Sequence, residues 1–448
     1  MLQKEREMRE SFDSQVRILL MSQDRFLKND HNIRVGLESE LAIYARLSDS
    51  ELVDKRNTII AENSDFTDVE LGASQVEIRT PPINLVASDG FASLEDVYKK
   101  RFTNVLDSAR KNKVGILRVG ANPFLPTRGI LRTNKLKYQL VPDYYNTHRD
   151  PYRDTMVGLG NSRINIGDAA IVSLFQSFQV NLEARSLNDA CDKMNRSLAI
   201  APYLLAFSGN ARYLNYPDTN TLCDTELQDL RLISWEKSFD IRPDRIDDWS
   251  NELRVGLPKR YFRNMSDYLQ RSGTFPFILY APESALAISI GMTWLDTRVK
   301  FIGDSAIVEL RLPSTQPTIE EELLLMLLYI GMLHYSQKNQ ESLMPMGMVR
   351  ENRLSAMLYG LRRPMWFLNK HGIPIKLPAK TGLAMELEKA TIGLDNLGLL
   401  SAMDKELLGV MLRTGSPSDR LKKFLRSMGD ISVKIMEDAL LETKMLVY

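Results

Sequence analysis

The sequence predicts an α+β fold in which a β-sheet, formed within residues 31–315, is followed by a helical C-terminal part over residues 316–448. Three segments of the first region alternate apolar and polar residues, which is the period of a strand with one buried face. After Pro317 the apolar residues recur at helical spacing almost to the end of the chain. Apolar residues spaced among many charges predict an amphipathic helix over residues 1–30. Because no repeat, linker or domain boundary is evident, residues 1–448 are expected to form one domain.

Strands are predicted where alternating segments lie between turn residues, and Pro81 and Pro82 end the second of them. The turn residues at 208–210 provide a C-cap for the helix before them. The predicted strands cover residues 35–41, 67–80, 114–119, 171–182, 288–295 and 306–312. The predicted helices cover residues 93–111, 187–207, 320–337, 350–368, 382–396, 404–413 and 418–444. Residues 48–66 are interpreted as a loop or hairpin return, and residues 216–259 as a long irregular excursion.

Composition and charge exclude several classes of protein. The 58 basic and 57 acidic residues give no overall field that would attract nucleic acid or a membrane, so neither partner is expected. The longest apolar run, residues 323–333, is too short to span a bilayer. Cys191 and Cys223 show neither metal-ligand nor disulfide spacing, and the first residues lack the apolar core of a signal peptide. We therefore expect a cytoplasmic protein.

Acidic residues lie on the polar face of three of the predicted strands. Glu38 and Glu40 share one face of the first strand, Glu77 lies on the second, and Glu309 and Arg311 lie on the last. Each strand alone is better explained as a solvated face, so the prediction depends on the three together. Converging carboxylates repel each other unless cations lie among them. Hard divalent ions suit oxygen ligands, and Mg²⁺ that bridges ATP phosphates is their commonest use.

Four motifs follow one another along the chain at residues 36–40 (Gly-x-Glu-x-Glu), 70–80 (ELGASQVEIRT), 178–181 (FQVN) and 307–311 (IVELR). Their order and spacing resemble those of the type 2 glutamate–cysteine ligases and the related carboxylate–amine ligases. Residues 195–213 are similar to the helix and small-residue turn that follow the third motif in that family. Residues 351–361 are similar to its late helix. The resemblance therefore runs from about Ile33 to Leu361.

This resemblance implies a glutamine synthetase-like catalytic domain, with a curved antiparallel sheet that forms a funnel flanked by helices. It also implies ATP and two or three Mg²⁺ ions, with Mn²⁺ able to replace Mg²⁺. In such enzymes a carboxylate attacks the γ-phosphate of ATP, and an amine then captures the acyl phosphate to form an amide. The implied product is a γ-glutamyl amide, with cysteine as the default acceptor. Phosphoryl transfer of this kind depends on charge neutralisation and positioning.

The metal ligands that the motif positions imply are Glu38, Glu40, Glu70, Glu77, Gln179 and Glu309. The third motif departs from part of the family, because many members have histidine where this chain has Gln179. An amide oxygen can coordinate Mg²⁺, so a metal role remains open. The competing interpretation is that Gln179 forms ordinary hydrogen bonds within the sheet.

The remaining predicted contacts are Arg311, Lys300 and Arg298 for ATP, and Asn181, Arg231 and Arg79 for the substrates. Arg311 is the first candidate for catalysis, because a guanidinium presents a planar fork of donors to a phosphoryl group. Arg231 is the second candidate and would bind the acceptor or the acyl phosphate. A solvated arginine is equally compatible with that position, and charged hairpin residues such as Lys300 are also commonly solvated.

Four further kinds of function are compatible with the sequence alone. The nearest is the same chemistry with another amine or carboxylate, with the choice made in residues 216–259. A metal-dependent phosphatase or kinase would use the same acids without forming an amide. The same motifs would also suit a relative that has lost catalysis, or a ligase that modifies proteins. The expected partners are small amino-acid substrates, and a homo-oligomer is left open.

Overall fold

The computed structural model describes residues 2–28, 32–150, 154–160, 162–216, 221–239, 254–426 and 431–448. The strands are β1 (Arg34–Tyr44), β2 (Thr67–Val69), β3 (Gln75–Arg79), β4 (Ile83–Asn84), β5 (Gly115–Leu117), β6 (Met156–Val157), β7 (Ile164–Asn165), β8 (Phe178–Glu183), β9 (Tyr213–Tyr216), β10 (Thr221–Asp224), β11 (Val255–Gly256), β12 (Trp294–Leu295), β13 (Thr297–Ile302), β14 (Ser305–Leu310), β15 (Met365–Leu368), β16 (Pro374–Leu377) and β17 (Leu446–Val447). The helices are α1 (Leu2–Met21), α2 (Asp49–Glu62), α3 (Gly90–Lys111), α4 (Leu136–His148), α5 (Leu187–Ser208), α6 (Leu230–Ser238), α7 (Met265–Ser272), α8 (Ala285–Gly291), α9 (Ile319–Lys338), α10 (Met346–Tyr359), α11 (Ala379–Asn396), α12 (Lys405–Thr414), α13 (Pro417–Arg426) and α14 (Val433–Glu442). None of these described helices combines the length and apolarity needed to cross a membrane.

The strands that carry the predicted acids lie side by side in one nine-stranded sheet. Its main path runs β13-β14-β8-β1-β3-β2, and each neighbouring pair on that path is antiparallel. The long strand β1 lies at the centre and also pairs with β4 and β5. The sheet curls into an antiparallel half-barrel, which confirms the predicted α+β, glutamine synthetase-like fold.

The apolar face of the sheet forms part of the main hydrophobic core. Leu37 and Leu41 of β1, with Val76 and Ile78 of β3, are buried in the same cluster as the apolar residues of α5, α9 and α11. Their two-residue spacing leaves the intervening acids on the opposite face. Helices α9 and α11 meet at backbone distance, because a Cβ atom at Gly393 would lie only 1.9 Å from the carbonyl oxygen of Gly331. The helical part is therefore packed closely behind the sheet that carries the acids.

Several predicted elements differ in the structure. Residues 48–66 are mostly the helix α2, which begins with a capping box between Ser48 and Glu51. The predicted strand at 67–80 is the hairpin β2–β3, with Glu70 in its turn. The predicted strand at 171–182 is regular only from Phe178, because Ala169–Leu174 forms a 3₁₀ helix capped by the Asp168 side chain.

The region 216–259 contains regular structure where an irregular excursion is predicted. The strand β10, the helix α6 and the strand β11 lie within it, and residues 217–220 and 240–253 lie outside the described part of the chain. The predicted strand at 288–295 is mainly the helix α8, since only β12 is extended.

Two predicted C-terminal helices are shorter than expected. The predicted helix at 350–368 ends at Tyr359, because Gly360 has a positive φ of 59° and β15 follows. The predicted helix at 418–444 corresponds to α13 and α14. Residues 427–430 between them lie outside the described residues.

Candidate active site

The sheet register brings most of the predicted site residues onto one face of four adjacent strands. The register pairs are Glu309 with Asn181, Gln179 with Glu38, and Glu40 with Glu77. Directly opposed residues on neighbouring strands share a face and lie within side-chain reach. Residues from β14, β8, β1 and β3 therefore form a continuous polar surface, as the three acidic strands predict.

One end of this surface carries three partly or fully buried carboxylates, Glu40, Glu70 and Glu77, which we call the acidic group. Burial and repulsion from Glu40 raise the pKa of Glu70 to about 7. Burial, with repulsion from Glu70, Glu38 and Glu40, raises the pKa of Glu77 well above its ordinary value. Burial also raises the pKa of Glu40, although Arg311 opposes this shift. The acidic group thus lies in a place where negative charge is under-compensated.

The turn that carries Glu70 is fixed from two sides. The backbone N–H of Gly72 donates to Oε1 of Gln75 at 2.7 Å, and Nε2 of Gln75 donates to the carbonyl of Phe175 at 2.7 Å. A Cβ atom at Gly72 would lie 2.2 Å from the carbonyl oxygen of Ser173, so only glycine fits there. Glu70 is therefore held close to the strands by a packed turn.

Gln179 connects the acidic group to Arg311. Its Nε2 donates to Oε1 of Glu40 at 2.9 Å, and its Oε1 accepts from Nη1 of Arg311 at 2.7 Å. This amide orientation follows from its neighbours, because a carboxylate only accepts and a guanidinium only donates. The backbone N–H of Ser177 also donates to Oε2 of Glu40 at 2.7 Å. These contacts match the interpretation of Gln179 as a hydrogen-bonding residue of the sheet, whereas its predicted metal role remains a prediction.

The other end of the surface carries three cations, Arg298, Lys300 and Arg311, around the buried Glu309; we call these the cation group. Nζ of Lys300 lies 2.7 Å from Oε1 of Glu309, and Nη1 of Arg311 lies 2.8 Å from its Oε2. Nε of Arg298 donates to the same Oε2. Burial raises the pKa of Glu309, but Arg298, Arg311 and Lys300 outweigh burial and hold that pKa well below its usual range.

Glu38 and Asn181 lie between the two ends. Oε1 of Glu38 accepts from Nζ of Lys300 at 3.0 Å and from Nδ2 of Asn181 at 3.1 Å. Oδ1 of Asn181 is buried and has no hydrogen-bond partner among the described residues. A buried acceptor of this kind normally has a partner. Asn181 is thus suited to accept a hydrogen bond from a bound ligand, and its predicted contact with a substrate stays a prediction.

Arg231 and Arg79 lie on different sides of this surface. Arg231 is buried at the start of α6 and donates to Oγ of Ser314 at 3.3 Å and to the backbone carbonyls of Arg311 and Leu312. Burial lowers the pKa of Arg231. Arg79 is less enclosed, with a side chain that is 43% exposed and lies 3.8 Å from a Glu77 oxygen. Arg231 therefore supports the segment just after β14, where Arg311 lies, and Arg79 lies at the edge of the acidic group.

A small cavity beside the catalytic candidates contains residues that the sequence analysis missed. Its walls include Glu40, Ser177, Arg231, Arg311, Trp235, Trp294, Asp296 and Arg353. Arg353 binds Asp296 through two hydrogen bonds of 2.5 and 3.0 Å and also lies 2.7 Å from Oε1 of Glu236. The signal for Arg353 was present, because it belongs to the family-like segment at 351–361. No pattern in the sequence indicated Trp235 as a site residue, because its region is interpreted there as irregular.

The donor set fits a hard divalent ion chemically. The acidic group offers oxygen ligands whose mutual repulsion a cation would relieve, and Mg²⁺ prefers such ligands. Among the described residues, however, no three acidic, histidine or cysteine side chains already lie close enough together to hold an ion.

Solved structures of other proteins share this fold, and two of them show its similarity to the chain. The glutamate–cysteine ligase of Francisella tularensis, solved in complex with AMP, has a TM-score of 0.53 and 14% identity over 94% of this chain and 89% of its own. The bifunctional glutathione synthetase of Pasteurella multocida has a TM-score of 0.54 and 11% identity over 92% of this chain and 53% of its own. No curated protein sequence matches the chain. These likenesses show that the fold is shared.

The sequence match is more specific than the fold. The family model of glutamate–cysteine ligase family 2 matches residues 34–370, which is 337 of the 448 residues. The chain belongs to this family. It is accordingly a ligase that joins a carboxylate to an amine through an amide bond.

Proposed function

We propose that this chain is an ATP- and Mg²⁺-dependent ligase that activates the γ-carboxylate of glutamate and transfers it to an amine, with cysteine as the default acceptor. The observation that carries this proposal is the sheet surface that joins the under-compensated acidic group to Arg311 and its neighbours. Family membership supports the carboxylate–amine chemistry. The AMP complex of the similar ligase from Francisella tularensis supports the use of an adenine nucleotide.

In this proposal the acidic group holds Mg²⁺. Bound Mg²⁺ would neutralise the charge on the ATP phosphates and favour transfer of the terminal phosphoryl group. Gln179 would fix Glu40 on the side facing Arg311, because it donates to the carboxylate and accepts from the guanidinium. The chain thus sets the distance between the metal-binding carboxylates and its first catalytic candidate.

Arg311 would stabilise charge on the phosphoryl group in transit. Its Nη1 is held by Gln179 and Glu309, while Nη2 makes no hydrogen bond within the described residues. A guanidinium anchored through one nitrogen presents its other donors in a fixed direction. Glu309 therefore orients Arg311, and the free Nη2 would donate to a phosphoryl oxygen.

The proposed reaction has two steps. A γ-carboxylate oxygen of glutamate attacks the terminal phosphorus of ATP, and the bond to the leaving ADP breaks. The amine nitrogen then attacks the acyl carbon, loses a proton and displaces inorganic phosphate. The cavity beside Glu40 and Arg311 is our candidate acceptor site, because Arg231 and Trp235 of α6 line it and α6 belongs to the region in which the acceptor is expected to be chosen.

The proposal is tested by ADP release with Mg²⁺, ATP and glutamate across a panel of amines that includes cysteine. We expect release that rises with one amine, together with a product of the summed mass of glutamate and amine less water. The exposed-site variant Lys380→Gln should behave as the wild type. ADP release that is indifferent to every amine would favour phosphoryl transfer without amide formation. Absence of release with every amine would favour a binding protein.

A further inference from the structure

Within the predicted metal-binding surface, Lys300 occupies a place that a bridging ion would otherwise take. Its Nζ lies 3.0 Å from Oε1 of Glu38 and 2.7 Å from Oε1 of Glu309. One ammonium thus joins two carboxylates from two different strands, β1 and β14. A divalent ion shared by the same two acids would need those oxygens at its own ligand positions.

The strands hold Lys300 in this place. Lys300 pairs in register with Ile307 across the hairpin β13–β14, while Arg298 pairs with Glu309 two residues away. Alternation along β13 then directs Lys300 and Arg298 to the same face as Glu309. The Lys300 side chain is 21% exposed. Its ammonium is therefore placed by the sheet and does not depend on a flexible surface loop.

The local charge balance also disfavours an additional ion at this end. Both oxygens of Glu309 already accept from cations, since Oε1 binds Lys300 and Oε2 binds Arg298 and Arg311. Three positive side chains therefore face two carboxylates, Glu38 and Glu309. A dication added here would meet like charges at short range in a partly buried site, where Coulomb repulsion is strong.

The acidic group has the opposite balance. Among the described cations, Arg79 alone forms an ion pair with its three carboxylates, 3.8 Å from Glu77. Arg311 and Arg231 act on Glu40, and Lys137 and Arg311 on Glu70, without an ion pair, and burial and repulsion outweigh them. Glu40 receives neutral donors, from Gln179 and Ser177. A divalent ion would gain most from this end of the surface.

We infer that Lys300 replaces a second divalent ion between Glu38 and Glu309, so that the nucleotide-free chain binds one divalent ion, at the acidic group. This inference rests on the proposed function, which assigns Mg²⁺ to the acidic group. It lowers the expected number of bound ions in the nucleotide-free chain from the two or three that the family resemblance implies to one. The fixed ammonium would give the cation end of the surface a positive charge that does not depend on the concentration of metal in solution.

The test counts Mn²⁺ ions bound to the full chain without nucleotide, from the loss of the free Mn²⁺ signal in electron paramagnetic resonance. We expect one ion for the wild type, none for Glu77→Gln and two for Lys300→Met, because methionine keeps the length of lysine and removes its charge. Lys111→Met is the matched control. Lys111 also forms an ion pair, with Nζ 2.6 Å from Oε1 of Glu62, but its side chain is 73% exposed. It contacts neither Glu38 nor Glu309 among the contacts described. The control should bind one ion.

The outcomes separate this inference from the proposed function. Two or more ions on the wild type would overturn the role of Lys300 and leave the Mg²⁺ proposal intact, even if Lys300→Met did not fold. One ion on both the wild type and a folded Lys300→Met would also overturn it. If the wild type binds no ion, the proposal of Mg²⁺ at the acidic group is contradicted. In that case, a gain of one ion in Lys300→Met would still support the inference that Lys300 replaces an ion. No gain in Lys300→Met would overturn that inference.

Discussion

Glu77 and Glu309 are both buried glutamates on the same face of the same sheet, yet their electrostatic states are opposite. The pKa of Glu77 is raised by burial and by three other glutamates, whereas the pKa of Glu309 is held low by Arg298, Arg311 and Lys300 in spite of its burial. Burial alone therefore does not decide how a carboxylate behaves. The nearby cations decide it: Arg298 and Lys300 of the neighbouring strand, and Arg311 just after the strand that carries Glu309.

This difference separates two charge environments that the sequence pattern treats alike. Glu77 lies among other acids, so a metal ion would relieve repulsion there. Glu309 lies among arginine and lysine, so its charge is already compensated. The motif order places both glutamates in one set of predicted metal ligands, and their metal roles stay predictions.

The largest expected effect is on stability when the compensated glutamate is changed. Glu309→Gln leaves three partly buried cations without their shared carboxylate, so the free energy of unfolding should fall by about 3–5 kcal/mol. Urea denaturation of the metal-free protein measures this. Glu77→Gln is the matched variant and should be as stable as the wild type or more stable, because it removes repulsion. Equal losses in both variants would show that the cations around Glu309 do not create the difference.

The second effect is on activity when the under-compensated glutamate is changed. Glu77→Gln should lower amine-dependent ADP release by more than about a hundredfold, because even the outer partners of metal ligands affect activity by 10- to 100-fold. Steady-state assays at saturating Mg²⁺ measure it, with circular dichroism as the check on folding. Activity close to that of the wild type would remove Glu77 from the metal site.

A smaller effect is expected where the two ends of the surface meet. Arg311→Lys should lower kcat by about tenfold or more, since an ammonium cannot bind Gln179 and Glu309 and also present a second nitrogen in a fixed direction. Steady-state kinetics with the preferred amine measure this. A change in the thermal unfolding temperature without a change in kcat would assign Arg311 a structural role only.

The smallest effect is on the pH dependence of stability in metal-free buffer. The folded-state pKa of Glu70 is about 7, above the unfolded value of 4.5. The folded protein therefore holds a proton that the unfolded chain releases, and stability should fall as the pH rises from about 5 to 7, by on the order of 1 kcal/mol per pH unit. Glu70→Gln should flatten this slope, measured by denaturation at each pH. Glu309, whose pKa is lowered, should act in the opposite direction and cost stability on acidification below about 4.5.

Much of this arrangement could be predicted from alternation along the strands. The two-residue spacing places Glu38 and Glu40 on one face. The strands of the second and third motifs lie directly beside them, and the strand of the last motif lies beyond the third. The position of Arg298 beside Glu309 could also have been predicted from the sequence. A two-residue turn at Gly303 and Asp304 sets the register that places Arg298 opposite Glu309.

Other features depend on contacts that local patterns do not encode. The helix α2 has a weak amphipathic pattern, and its capping box was the signal that could have identified it. The 3₁₀ helix before β8 has strand-like composition, but it is buried throughout and packs beneath the turn that carries Glu70. The partners of Gln179 depend on how far apart β1 and β14 lie across β8, which only the assembled sheet determines.

The order of strands in the sheet also governs how the site can form during folding. The central strand β1 ends at Tyr44, but its neighbour β8 begins at Phe178 and the next strand β14 ends at Leu310. During synthesis, β1 therefore waits until Glu183 has been made before its pairing is complete, and its exposed edge is open to wrong partners in that interval. Pairing over such separations is slow. The acids of β1 and β3 can therefore come together long before the cations around Glu309, which need β13 and β14.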